Sequence, residues 1–243
     1  MTPAQFLPRL LDAASQPYQR AGRFAWHFAR GKLGGDPVFR QILERGLIPD
    51  GARVLDLGCG QGLLASWLSS AQRLHDGGQW PAGWPAAPRV AALRGIELMP
   101  RDVERARDAL SRAADSRAEF VQGDIRDTPF GAADVVVILD VLHYLDLAAQ
   151  DQVLRRCRDA LAPRGLLLLR IGDAAAGLPF RISNWVDHLV TFSRGHRLAR
   201  FTCRSLAQWT AALTALGFRV EPLPMSAGTP FANIMLVARL GGA

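Results

Sequence analysis

Three glycines at alternate positions follow an acid in the run Val54-Leu55-Asp56-Leu57-Gly58-Cys59-Gly60-Gln61-Gly62. Where an apolar stretch turns sharply into a helix, residues without a Cβ let a ligand approach the backbone. The helix start then offers unpaired N–H groups to an acidic or polar ligand. Two kinds of nucleotide site fit this chemistry. A dinucleotide fold asks for G-x-G-x-x-G; here the third glycine comes one residue early, and an acid stands two before the first. A second acid closes Gly95-Ile96-Glu97-Leu98, where a carboxylate at a strand tip can accept both hydroxyls of a ribose. The same Glu97 would also suit the start of the following helix. Its separation from the glycines exceeds the ~20 residues usual for a ribose acid, and an insertion between them accounts for the excess. Gly123-Asp124-Ile125 reads either as a third polar tip or as an ordinary Gly-Asp turn.

The elements that must position these groups show in the hydrophobic spacing. Leu7, Leu10, Leu11 and Ala14 mark a helix face, Phe24 and Phe28 a second short helix, and Val38 to Leu47 a third, opened by Asp36-Pro37 as capping residue and first-turn proline. Strands are expected at Arg53 to Leu57, Val90 to Ile96, Glu119 to Gln122, Asp134 to Leu139 and Leu166 to Ile171. Helices alternate with them at Leu63 to Ala71, Arg101 to Ala114 and Leu147 to Leu161. This alternation implies parallel crossovers and a sheet covered on both faces, an α/β fold. His75 to Pro88, rich in Gly, Pro and Trp and without a period, reads as a surface loop. Gly172 to Arg200 is a longer excursion, with a helix near Ile182 to Phe192, long enough to form a lid. A helix Ser205 to Leu216, stopped by Gly217, and a hairpin of Phe218 to Pro222 with Asn233 to Leu240 close the chain.

The glycine run resembles motif I of the class I S-adenosylmethionine-dependent methyltransferases, in which this loop holds the methionine part of the cofactor. Glu97, with Leu98 beside it, then matches the ribose position. Asp124 matches the acceptor of the adenine amino group, and Ile125 the residue that flanks the ring. Ala133 to Leu145 resembles the family's fourth strand and its exit, Leu139 and Asp140, where donor and acceptor meet. Leu161-Ala162-Pro163-Arg164-Gly165-Leu166-Leu167 resembles the turn into the fifth strand. The resemblance spans Val54 to Ile171. It implies a doubly wound, Rossmann-like sheet of seven strands with the last antiparallel, S-adenosylmethionine as cofactor and S-adenosylhomocysteine as product. It also divides the chain into a helical cap at residues 1–48 and a methyltransferase domain at 49–243, with the lid at about 172–204.

The acceptor lies outside the shared motifs. Asp140-Val141-Leu142-His143 is not the Asn/Asp-Pro-Pro-Tyr/Phe motif of enzymes that methylate a base or a glutamine. No acid cluster follows the fourth strand, as a metal-dependent catechol type would require. A small apolar or aromatic acceptor methylated at O or C is the expectation. His143 is the candidate base by position, although a histidine there equally serves packing. Tyr18, Phe24, Trp26, His27 and Phe28 bunch within a short segment, and Trp185, His188 and Phe192 share one helix face. They either roof an aromatic pocket together with Tyr144 or belong to the core. Arg30 or Lys32 is expected near the cofactor carboxylate. The closing segment, Thr229 to Asn233, resembles methyltransferases of bacterial aryl-polyene or fatty-acid-type pathways. That resemblance implies an acceptor tethered to an acidic carrier protein, with Arg181, Arg194, Arg197, Arg200 and Arg204 as its contact, unless these form a solvated face.

Composition bounds these readings. The 243 residues are 49% hydrophobic and 21% charged, ordinary for one α/β domain. The net charge of +7 would favour nucleic acid as a partner, but a single lysine against 28 arginines, spread along the chain, fits genome bias as well. No specific nucleic-acid binding is therefore expected; an RNA methyltransferase and a non-catalytic cofactor-binding regulator are the alternatives. Three scattered cysteines, no signal-peptide core and no membrane-length apolar run point to a cytoplasmic monomer or homodimer without a metal site.

Overall fold

Val54 to Leu57 are all buried, as a central parallel strand covered on both faces requires. The structure, a computed structural model, describes residues 1–111, 117–172, 202–225 and 233–241. Contacts divide the chain into two compact units, Met1–Pro129 and Phe130–Ala243. The seven strands of the mixed sheet are shared between them: β3-β2-β1 in the first, β4-β5-β7-β6 in the second. Among the described residues no helix is long and apolar enough to cross a membrane.

In the first unit, β1 (Arg53–Leu57), β2 (Ala92–Glu97) and β3 (Ala118–Gln122) run parallel. The helices are α1 (Pro3–Ser15), α2 (Arg23–Gly35), α3 (Pro37–Glu44), α4 (Leu63–Asp76) and α5 (Pro100–Leu110), with a 3-10 turn at Gln16–Gln19. Thr2 and Gln5 form a capping box for α1, and Asp36 accepts from the Val38 N–H at 3.1 Å to open α3, as its sequence implies. The N-terminal helices pack into this unit: Ser66 Oγ donates to the Ala14 carbonyl at 2.7 Å, and Trp67 Nε1 to that of Phe39 at 2.9 Å.

Two readings of this unit need amendment. Helix α4 runs to Asp76, five residues beyond the predicted end. The loop after it is not merely a surface feature, because Trp80 and Trp84 pack edge-on against the buried ring of Phe6 at 5.0 and 5.6 Å. Its two tryptophans fasten α1.

In the second unit, β4 (Ala133–Leu139) pairs in parallel with β5 (Leu161–Gly172), and β7 (Asn233–Leu240) lies antiparallel between β5 and β6 (Phe218–Pro224). The expected closing hairpin is present. β5 starts five residues earlier than predicted because Leu161 pairs with Ala133 ahead of a register shift. Asp146 caps α6 (Leu147–Ala160) through the Ala149 N–H at 2.8 Å, and Ser205 with Gln208 forms the capping box of α7 (Leu206–Ala215).

Candidate functional site

The glycine run falls where β1 ends and α4 begins, and it is fastened to the tip of β2. The Ile96 carbonyl accepts from the N–H groups of Gly58 and Cys59 at 2.8 and 3.2 Å. Glu97, only 9% exposed, accepts from the Gly60 N–H at 2.9 Å through one carboxylate oxygen and from the Met99 N–H at 2.9 Å through the other. Two backbone donors, one on each carboxylate oxygen, therefore hold this acid in one orientation. Through the Met99 N–H, Glu97 also begins the turn into α5, the structural one of its two sequence readings.

Two glycines of the run do different work. Gly60 has φ +55°, and a Cβ added there would meet nothing within 4 Å: the backbone opens onto free space, as a ligand cradle requires. A Cβ at Gly62 would lie 2.8 Å from the Phe120 ring, so that glycine serves close packing against β3.

Asp56 is buried at the end of β1. Burial, and then the negative charge of Glu97, push its carboxyl up to about 7. Cys59 is buried too, and burial, followed by the charges of Asp56 and Glu97, raises its thiol well above the ordinary range. Asp124 accepts from Arg126 through both carboxylate oxygens and from the Arg126 N–H at 2.8 Å, so it fixes its own turn as well as presenting a charge. Ile125 beside it is buried, whereas Leu98 stands 55% exposed just past the β2 tip.

In the second unit Leu139 is half-buried, and Asp140, at φ +58°, takes the left-handed conformation that leads β4 into its exit turn. Its carboxylate accepts from Nε and a terminal nitrogen of Arg170, whose guanidinium on β5 is fully buried. His143, one turn on, has its pKa lowered by burial, with Arg170 also lowering it and Asp140 opposing. The imidazole is thus neutral around neutral pH. The half-exposed Tyr144 lies 4.2 Å from it, ring to ring.

Several predicted acceptor-side residues stand elsewhere. Tyr18 lines no open surface: it is wholly buried, and its hydroxyl donates to the Gln61 carbonyl at 3.0 Å, behind the glycine turn. Arg30 turns to the nearer acid, Asp12 of α1, at 2.6 Å and stacks over Trp26, while Lys32 pairs with Asp36. His27 is exposed and meets Trp26 edge-on; Phe24, stacked on Phe28, has Arg105 over its ring. Arg204 pairs with Asp151 and packs on Trp209. Trp185, His188, Phe192, the other four arginines of the cluster and residues 173–201 of the lid lie outside the described residues. The residues that sequence reasoning passed over are Gln61, hidden as an "x" of the motif, and Arg170, a lone charge in an apolar strand. That lone charge was the available signal.

A family model described as a methyltransferase domain matches residues 55–167. A carboxy-S-adenosyl-L-methionine synthase of Chromohalobacter salexigens is 34% identical over 140 residues, covering 55% of this chain and 47% of that protein. An acetylserotonin O-methyltransferase of Mus musculus is 32% identical over 193 residues, covering 78% and 44%. The chain spans about half the length of these relatives. The structure of an O-methyltransferase family protein from Burkholderia thailandensis superposes with a TM-score of 0.66 at 18% identity, over 88% of this chain and 57% of that one, a likeness of fold.

Proposed function

Because the chain belongs to the class I S-adenosylmethionine-dependent methyltransferase superfamily, we propose that it transfers a methyl group from S-adenosylmethionine to a small apolar or aromatic acceptor, at oxygen or carbon. The observation that carries this reading is the open backbone of Gly60 hydrogen-bonded to the strand-tip carboxylate of Glu97.

S-adenosylmethionine supplies a sulfonium-bound methyl carbon, which the acceptor atom attacks in line; the carbon–sulfur bond breaks to leave a neutral thioether, and the acceptor gives up a proton. The residues' part is to bind and orient. Glu97, held by its two backbone donors at the tip of β2, accepts the ribose hydroxyls. The turn at Gly60 admits the methionine part, and Leu98 gives the cofactor an apolar contact. Asp124 accepts the adenine amino group; Arg126, half-exposed, yields at a cost of about 1 kcal/mol or less. His143, kept neutral by burial, takes the proton of an acceptor hydroxyl. A carrier-bound acyl or aromatic unit is the acceptor class that the arginine-rich segment after β5 favours.

The test is release of S-adenosylhomocysteine from labelled cofactor with phenols, enols and carrier-tethered acyl chains as acceptors. Turnover that requires a hydroxyl acceptor and disappears in His143→Ala supports hydroxyl methylation. Tight cofactor binding without turnover of any acceptor would point to a regulator, and turnover of RNA to the nucleic-acid reading.

A further inference from the structure

Gln61 stands between the two glycines that bound the ligand-facing turn, yet its bonds run away from the ligand. Its backbone carbonyl accepts from the Tyr18 hydroxyl at 3.0 Å, and its side-chain Nε2 donates to the Ala25 carbonyl, in the first turn of α2, at 2.9 Å. Both contacts are buried, Gln61 being 2% and Tyr18 0% exposed. One residue of the turn is thereby bonded to the 3-10 segment and to α2, elements 43 and 36 residues away in sequence. The other acceptor of the Gln61 amide, Oε1, is buried without a hydrogen-bond partner among the described residues. An apolar side chain of equal length would avoid that cost, so what the amide contributes is its bond to Ala25.

The turn is thus gripped from two directions. On one side are the β2 tip and Glu97; on the other, Tyr18 and Gln61, assisted by the bond from Ser66 of α4 to Ala14 of α1. We infer that Tyr18 and Gln61 are positioning residues that couple the glycine turn to α2, so that filling the turn and seating α2 occur together. The inference rests on the reading of that turn as the cofactor site. Coupling of this kind is reciprocal: whatever stiffens the turn stiffens α2, and loosening α2 weakens what the turn holds. It gives Tyr18 a role other than lining a pocket. It also explains why Trp26 and Arg30 ride on a helix tied to the turn rather than on a separate lid.

Hydrogen exchange and calorimetry on the full chain test this, with S-adenosylhomocysteine as the probe. In the wild-type protein the probe should slow exchange at residues 58–63 and also at 16–30. Tyr18→Phe keeps the ring and loses the donor; Gln61→Met keeps the length and loses the amide. Each should weaken binding about three- to tenfold. At saturating probe, each variant should still protect 58–63 but no longer protect 16–30. A lower melting temperature with wild-type affinity and wild-type protection would make both bonds purely structural and overturn the inference. Should Tyr18→Phe fail to fold, Gln61→Met and the wild-type exchange pattern carry the test. A wild-type protein that binds the probe without protecting 16–30 overturns the coupling alone. One that does not bind it at all overturns the cofactor reading and the coupling with it.

Discussion

Replacing Asp56 by Asn should change how stability depends on pH. Asp56 is 3% exposed, and burial together with the charge of Glu97 raises its carboxyl from 3.8 to about 7. The folded protein therefore holds this proton more tightly than the unfolded chain does. Stability from this group is fully present below pH ~4 and declines as pH rises towards ~7, where the folded form also ionises. A shift of about three units at 1.36 kcal/mol each is about 4 kcal/mol over the whole window, of which about 2.5 kcal/mol falls between pH 5 and pH 8. Asparagine is neutral throughout and resembles the protonated acid, so Asp56→Asn should lack this loss. Urea unfolding followed by tryptophan fluorescence at pH 5 and pH 8 measures it as a difference between the two proteins, which cancels the titration of groups remote from Asp56. The variant should match the wild type more nearly at pH 5 and exceed it by about 2 to 3 kcal/mol more at pH 8. Parallel pH profiles would refute the assignment of a buried, repelled carboxyl at this position. Glu97→Gln, which removes the repelling charge, should flatten the wild-type profile in part.

Gly60→Val should leave a folded protein, strained by about 1 to 2 kcal/mol, that no longer binds S-adenosylhomocysteine, because its side chain fills the open space at the turn. Gly62→Ala, by contrast, meets the Phe120 ring and should lower stability by about 1 to 3 kcal/mol; a melting curve like the wild type's would refute the packing role. Asp140→Ala deprives the buried Arg170 guanidinium of its two-pronged partner. With Asp140 itself partly exposed, a loss of about 2 to 3 kcal/mol in denaturant unfolding is expected, and no loss would show the pair to be incidental. Binding to RNA or DNA should be weak, insensitive to sequence and steeply reduced by salt, as measured by fluorescence anisotropy; tight sequence-dependent binding at physiological salt would contradict it.

Much of this was legible in the chain. The glycine turn, the acids at the strand tips and the alternation of strands with helices are local signals, and each fell where its spacing implied. The misplaced residues share one cause: their partners are remote. Tyr18 in sequence looks the same whether it faces a pocket or the back of a loop, and only the Gln61 carbonyl decides. Arg30 could have reached outward, but Asp12 on the neighbouring helix is closer. The Trp80 and Trp84 loop has no period because its rings pack on a helix more than seventy residues earlier in the chain. Arg170 shows only as a charge among leucines until Asp140, held in a conformation that non-glycine residues rarely adopt, is brought beside it.

The most direct measurement is calorimetric titration of the wild-type protein and Glu97→Gln with S-adenosylhomocysteine, with NADH as the contrast. Glutamine keeps the shape but cannot accept from the Gly60 and Met99 N–H groups through both of its ends. The wild type should bind S-adenosylhomocysteine and not NADH, and the variant should lose about 1.5 to 3 kcal/mol, roughly ten- to a hundredfold in affinity. Binding of NADH in place of S-adenosylhomocysteine, or equal affinity for S-adenosylhomocysteine in the two proteins, would contradict the assignment of the glycine turn and Glu97 as the cofactor site.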